Sequence, residues 1–174
     1  MKKGLMITIF SVVALRGFSQ NVERTEVGNA FVYKISEYAD GSSFTKGYLK
    51  ESLLYRKELT YIDCPLEGNM VEIKNYLLRS IENVIPNIRK KLSRNDATMY
   101  VVLLPSTEGK IVDAYVGWSN SYREFFLEKE LQGVIAAAKN ISLKFGNGSV
   151  NAISRYYYPI TVFIFPNLKV VLTI

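Results

Sequence analysis

Residues 70–92 constrain the fold most. Ile73, Leu77, Ile81, Val84, Ile85, Ile88 and Leu92 recur at steps of three and four, which lines them up along one side of a helical cylinder. An amphipathic helix of this kind needs another element on which to bury that side. Asn69 stands where an N-cap belongs, and Glu72 three residues on completes a capping-box pattern. Pro86 has no amide hydrogen and clashes with the preceding turn, so it is expected to kink the helix or to start a second segment.

The surface this helix requires follows in the sequence. Residues 98–104 are apolar on both alternating faces, residues 105–110 carry turn formers, and residues 111–118 resume as a strand, which predicts a hairpin. Its second strand sends Val112, Ala114, Val116 and Trp118 to one face and Ile111, Asp113 and Tyr115 to the other. A second helix is expected from near Ser121, capped with Glu124, to near Asn140, with Leu127, Leu131, Val134, Ile135 and Ala138 on its apolar face and Glu128 on its solvated one. Residues 141–155 read as a polar, glycine-containing loop with room for a short strand, and residues 156–165 and 168–174 as strands divided by Pro166-Asn167. Earlier in the chain, residues 31–38 read as a strand and Asp40-Gly41-Ser42-Ser43 as a turn. Residues 53–62 fit a strand, although 49–56 fit a helix as well.

The first nineteen residues read as a removable export signal. Lys2 and Lys3 make a positive start, residues 4–15 are almost uninterruptedly apolar, and Gly17-Phe18-Ser19 places small residues where a signal peptidase cuts. Cleavage leaves Gln20 first. The apolar stretch falls short of the roughly 20 residues that cross a bilayer, so no membrane span is expected, and a core helix is the competing reading of the segment. The remainder, 20–174, is expected to be a single domain, periplasmic or secreted in a Gram-negative envelope, with 20–66 as an N-terminal extension to a 67–174 core. Without Lys2, Lys3 and Arg16, 19 basic residues face 16 acidic ones, and the net charge drops from +6 to +3. That mild balance does not point to nucleic acid, and the basic cluster Arg89-Lys90-Lys91 with Arg94 suits a solvated helix end. Cys64 is the one cysteine, expected as a buried small hydrophobe or an intermolecular cross-link. The glycosylation-like Asn140-Ile141-Ser142 and Asn147-Gly148-Ser149 are taken as coincidence.

Chemistry is narrowed by what is missing. With no histidine and a single cysteine, no Ser-His-Asp triad, Cys-His pair, histidine-held metal or Cys-x-x-Cys couple can be assembled within this chain. No catalytic residue, metal or cofactor site is therefore assigned. Ser43-Phe44-Thr45-Lys46 has serine-lysine spacing but adjoins the Asp40-Gly41 turn. Glu124, Glu128 and Asp113 could supply paired carboxylates for work on a glycan. Aromatic residues are the positive signal. Tyr156-Tyr157-Tyr158 open a strand that continues through Phe163 and Phe165, so both its faces carry large side chains. Either the strand is covered on both sides, or Tyr157, Phe163 and Phe165 lie on a face or edge that binds a partner.

The succession Tyr100-Val101-Val102-Leu103-Leu104, Glu108-Gly109-Lys110-Ile111-Val112-Asp113-Ala114-Tyr115-Val116, the helix over 131–138, and Pro159-Ile160-Thr161-Val162-Phe163 resembles the C-terminal domain of TonB-like proteins across residues 70–165. The resemblance implies an α+β fold, a small antiparallel sheet with two helices packed on one face, here with a strand-rich N-terminal extension. It also implies pairing with a peptide or protein segment added at a sheet edge. The tyrosine-proline pair often found before that family's first helix is missing, and no retained anchor or proline-rich spacer is expected, so the chain does not read as an energy transducer. The expectation is an exported, non-catalytic binding or adaptor module, with Tyr115, Trp118, Tyr156, Tyr157 and Tyr158 as contact residues and a homodimer as one form it could take. A carboxylate-dependent enzyme on envelope glycans and a structural oligomer subunit are the competing expectations.

Overall fold

The computed structural model describes residues 22–56, 58–62, 70–144, 156–167 and 169–173. The expected export signal, Cys64, the Asn69 cap and Asn147-Gly148-Ser149 lie outside the described residues. The chain is a mixed α/β fold built on an antiparallel sheet. Its elements run β1 (Val22–Val27), β2 (Phe31–Glu37), β3 (Ser43–Leu49), α1 (Leu53–Arg56), β4 (Tyr61–Ile62), α2 (Met70–Val84), α3 (Ile88–Arg94), β5 (Met99–Pro105) and β6 (Ile111–Trp118). A 3-10 turn, Arg123–Phe125, then leads to α4 (Glu128–Lys139), β7 (Tyr156–Tyr157), β8 (Ile160–Ile164) and β9 (Val170–Thr173).

Seven strands form one sheet in the order β1-β2-β3-β6-β5-β8-β9, each pair antiparallel, while β4 and β7 make a separate parallel pair. The sheet is thus larger than the small one expected. The N-terminal strands are not an addition beside it, because β3 pairs with β6 and carries β2 and β1 outward.

Pleating puts alternate residues on one side. Phe31, Tyr33 and Ile35, Met99, Val101 and Leu103, Ala114, Val116 and Trp118, and Ile160, Val162 and Ile164 meet the apolar faces of α2, α3 and α4 in a single core. The expected long helix is broken where Pro86 stands: α2 ends at Val84, Asn87 turns left-handed at φ 69°, and α3 begins at Ile88.

Several local expectations are corrected. The second helix starts at Glu128, not near Ser121, and the side chain that accepts a cap amide is Glu130, from Leu127 N at 2.8 Å. Phe126 occupies the core while Leu127 is exposed. Residues 53–62 are not one strand, because Asp113 accepts from Leu54 N and Ser52 Oγ and so fixes a helical turn there. Residues 156–165 divide into β7 and β8 around Pro159, which has no amide to give a ladder. In β6, Leu104 pairs with Asp113 but Pro105 with Ile111. This bulge turns Ile111 into the core with Ala114, away from Asp113 and Tyr115. Among the described residues no helix is long and apolar enough to cross a membrane.

Candidate functional site

The side of the sheet away from α2, α3 and α4 carries aromatic rings. Strand register sets Tyr100 opposite Gly117 on β6 and opposite Phe163 on β8, and Tyr115 opposite Val102. Tyr48 meets Tyr115 with ring centroids 4.4 Å apart, Tyr100 meets Tyr115 at 6.3 Å and Phe163 at 5.8 Å, and Phe163 stacks on Phe165 at 6.4 Å. The row therefore crosses β3, β6, β5 and β8. It depends on Gly117, since a Cβ there would lie 2.2 Å from Tyr100 Cζ.

Coverage varies along the row. Tyr48 and Tyr100 are buried, whereas Tyr115, Phe163 and Phe165 are half-buried. Burial pushes the Tyr48, Tyr100 and Tyr115 phenols up from their ordinary value, and the first and last share a hydrogen bond. Beyond Phe165, a cleft of about 420 Å³ is lined by Phe165, Pro166, Asn167, Lys169 and Val171. It adjoins β9, the outermost strand on that side among the described residues.

Of the residues singled out in the sequence, Tyr115 is on this row. Trp118 is not, because it points to the opposite side of β6, fully buried against Phe126 and Tyr33 with Nε1 donating to Tyr122 O at 3.0 Å. Tyr157 is also buried, Tyr156 is half-buried, and Tyr158 is exposed with its ring tilted on Tyr61 at 5.4 Å. The structure does not gather these five at one surface. The residues sequence reasoning overlooked are Tyr48 and Tyr100. The apolar character of both faces of residues 98–104 was the available signal for Tyr100.

The carboxylate alternative also has a location. Glu124 and Glu128 line one cleft of about 320 Å³ with Tyr33 and Arg123. Yet Glu128 accepts from Asn29 N at 3.0 Å, Ala30 N at 2.9 Å and Tyr33 Oη at 3.2 Å, so its oxygens are occupied. Glu124 is held below the usual carboxylate range by its own backbone N–H and by the Arg123 guanidinium, the opposite of what a general acid needs. Asp113 is buried beneath Ser52 Oγ at 2.7 Å and Leu54 N at 3.0 Å. Ser43 and Lys46 belong to a strand, where an offset of three residues puts them on opposite faces. Among the described residues no group of three potential ligands could hold a metal ion.

No protein-family model matches the chain, and no curated protein matches it. Its fold is similar to that of a DUF5043 family protein from Bacteroides uniformis, with a TM-score of 0.53 over 84% of this chain and 93% of that one. Sequence identity is 14%, so the likeness concerns the fold alone.

Proposed function

We propose that this is an exported envelope protein that works by binding, taking an extended peptide or protein segment along the β9 edge with the partner's side chains resting on Phe163, Phe165 and Val171. The observation that carries this reading is the aromatic row, whose last two rings, Phe163 and Phe165, are half-buried and run into the Phe165 cleft. Half-exposed aromatic rings lose little entropy on binding and dominate contact energies, and an outer strand offers backbone groups that an added strand can pair. The resemblance to TonB-like C-terminal domains, with helices on one face of the sheet and partners taken at an edge, supports the same reading. The tied-up oxygens of Glu128 and the lowered carboxyl of Glu124 argue for binding over catalysis on a glycan.

Selection of random peptides displayed on phage tests the proposal. Peptides with alternating apolar residues are expected, and Phe165→Ala should weaken them at least about tenfold, with slowed amide exchange on β9 in the complex. Peptides indifferent to Phe165→Ala, or protection confined to β1, would overturn it. Turnover of an envelope glycan that is lost in Glu124→Gln would establish the enzyme instead.

A further inference from the structure

The other end of the sheet carries a different message. In β1, Val22–Val27, five of the six residues are exposed and Glu26 is half-buried, and among the described residues β1 is the outermost strand on its side. Gly28 N donates to Phe31 O at 2.9 Å, and Lys50 N donates to Ala30 O at 3.1 Å. These bonds turn Phe31 toward β1 and Ala30 toward β3. Counting back along the register, Glu26 and Arg24 exchange bonds with Tyr33 and Ile35, so the backbone groups of Val27, Thr25 and Glu23 face outward.

We infer that β1 pairs antiparallel with β1 of a second copy of this chain, with the two-fold axis at Thr25. Because only Glu23, Thr25 and Val27 offer outward groups, a self-pairing must be centred on a residue and not between two. Centring on Glu23, Arg24 or Glu26 sets identical charges opposite each other, which is unfavourable. Centring on Thr25 sets Thr25 against Thr25, Glu23 against Val27, and Arg24 against Glu26 on both sides of the axis, and every outward amide and carbonyl finds a mate. Arg24 and Glu26 share one side of the strand, already 3.1 Å apart within the chain, and in the pair they interleave with their counterparts. Arg123 Nη1, which donates to Val27 O at 3.4 Å, leaves that carbonyl a second lone pair. The two sheets then join into one continuous sheet, and the β9 edge is untouched.

Sedimentation velocity of the purified protein at rising concentration reads this directly. A reversible dimer is expected within about 1 to 500 µM, the weak range that suits a single-strand interface. Thr25→Pro removes an outward N–H that β2 does not use, so it should keep the thermal transition and weaken the dimer at least about tenfold. Arg24→Glu should weaken it by placing a second carboxylate opposite Glu26, and R24E/E26R should restore it. Phe165→Ala should leave it unchanged, which separates this inference from the reading of the β9 edge. A monomer throughout, a dimer indifferent to Thr25→Pro, or failure of the double reversal overturns it. So does a monomer that dimerises only after the residues before Val22 are removed, since the chain's own segment would then occupy the edge.

Discussion

Both oxygens of Glu128 are committed to the turn between β1 and β2, where they accept the Asn29 and Ala30 amides and the Tyr33 hydroxyl. Backbone N–H groups in a tight turn need partners, and a carboxylate satisfies two at once more strongly than a neutral acceptor. Glu128→Gln turns one acceptor into a donor facing another donor, so the expected loss is about 1 to 3 kcal/mol in urea unfolding. Glycine makes the approach feasible, since a Cβ on Gly28 would stand 1.9 Å from Glu128 Oε1. A parallel constraint holds at Gly117, under the Tyr100 ring. Gly117→Ala is expected to cost about 1 to 3 kcal/mol by overpacking, and G117A/Y100A should cost less than the two single changes together. Additivity in that cycle would remove the ring contact as the cause.

The break between α2 and α3 is an element-scale device. Pro86 prevents a continuous helix, and Asn87 at φ 69° redirects the chain so that Ile85 and Ile88 both reach the core. Only small polar residues and glycine adopt that conformation cheaply. Asn87→Ala should therefore lower stability by about 1 kcal/mol while Asn87→Gly stays close to neutral, as read by thermal unfolding; equal effects would show that the backbone is not what selects asparagine. This break was legible, because Pro86 acts locally and the flanking three-four spacing marks both helices. The start of α4 was not, since Ser121 and Glu124 satisfy a local pattern that Asn120, already bonded to Tyr122 N at 3.1 Å, displaces. Nor was the role of Glu128. Helical periodicity says which side a residue occupies, and it is silent about a turn 98 or 99 residues away.

Across the whole molecule the same limit governs the candidate site. Alternation correctly separates Trp118 from Tyr115, but it does not say which side of β6 the helices cover, and Trp118 went into the core. Tyr48, Tyr100 and Phe163 come together through pairings between distant strands that no local pattern encodes. What results is a second aromatic layer in which the Tyr48 and Tyr100 phenols are buried, and it sets how the protein should respond to alkali. Burial raises Tyr33, Tyr48, Tyr100 and Tyr115, helped at Tyr33 by Glu128. The unfolded chain releases these protons near pH 10 while the folded chain retains them, so above that pH the folded state binds more protons. Their stabilisation is complete below about pH 10 and is lost as pH rises toward the folded values, by at most about 1.4 kcal/mol per pH unit for each phenol, and by less for half-buried Tyr115, which water screens. Urea unfolding at successive alkaline pH values should show that decline, with Y48F/Y100F flattening it. Phenolate absorbance reaching its full value while the near-ultraviolet dichroism of the folded state persists would mean that these rings ionise in place, and that the aromatic layer is open to water.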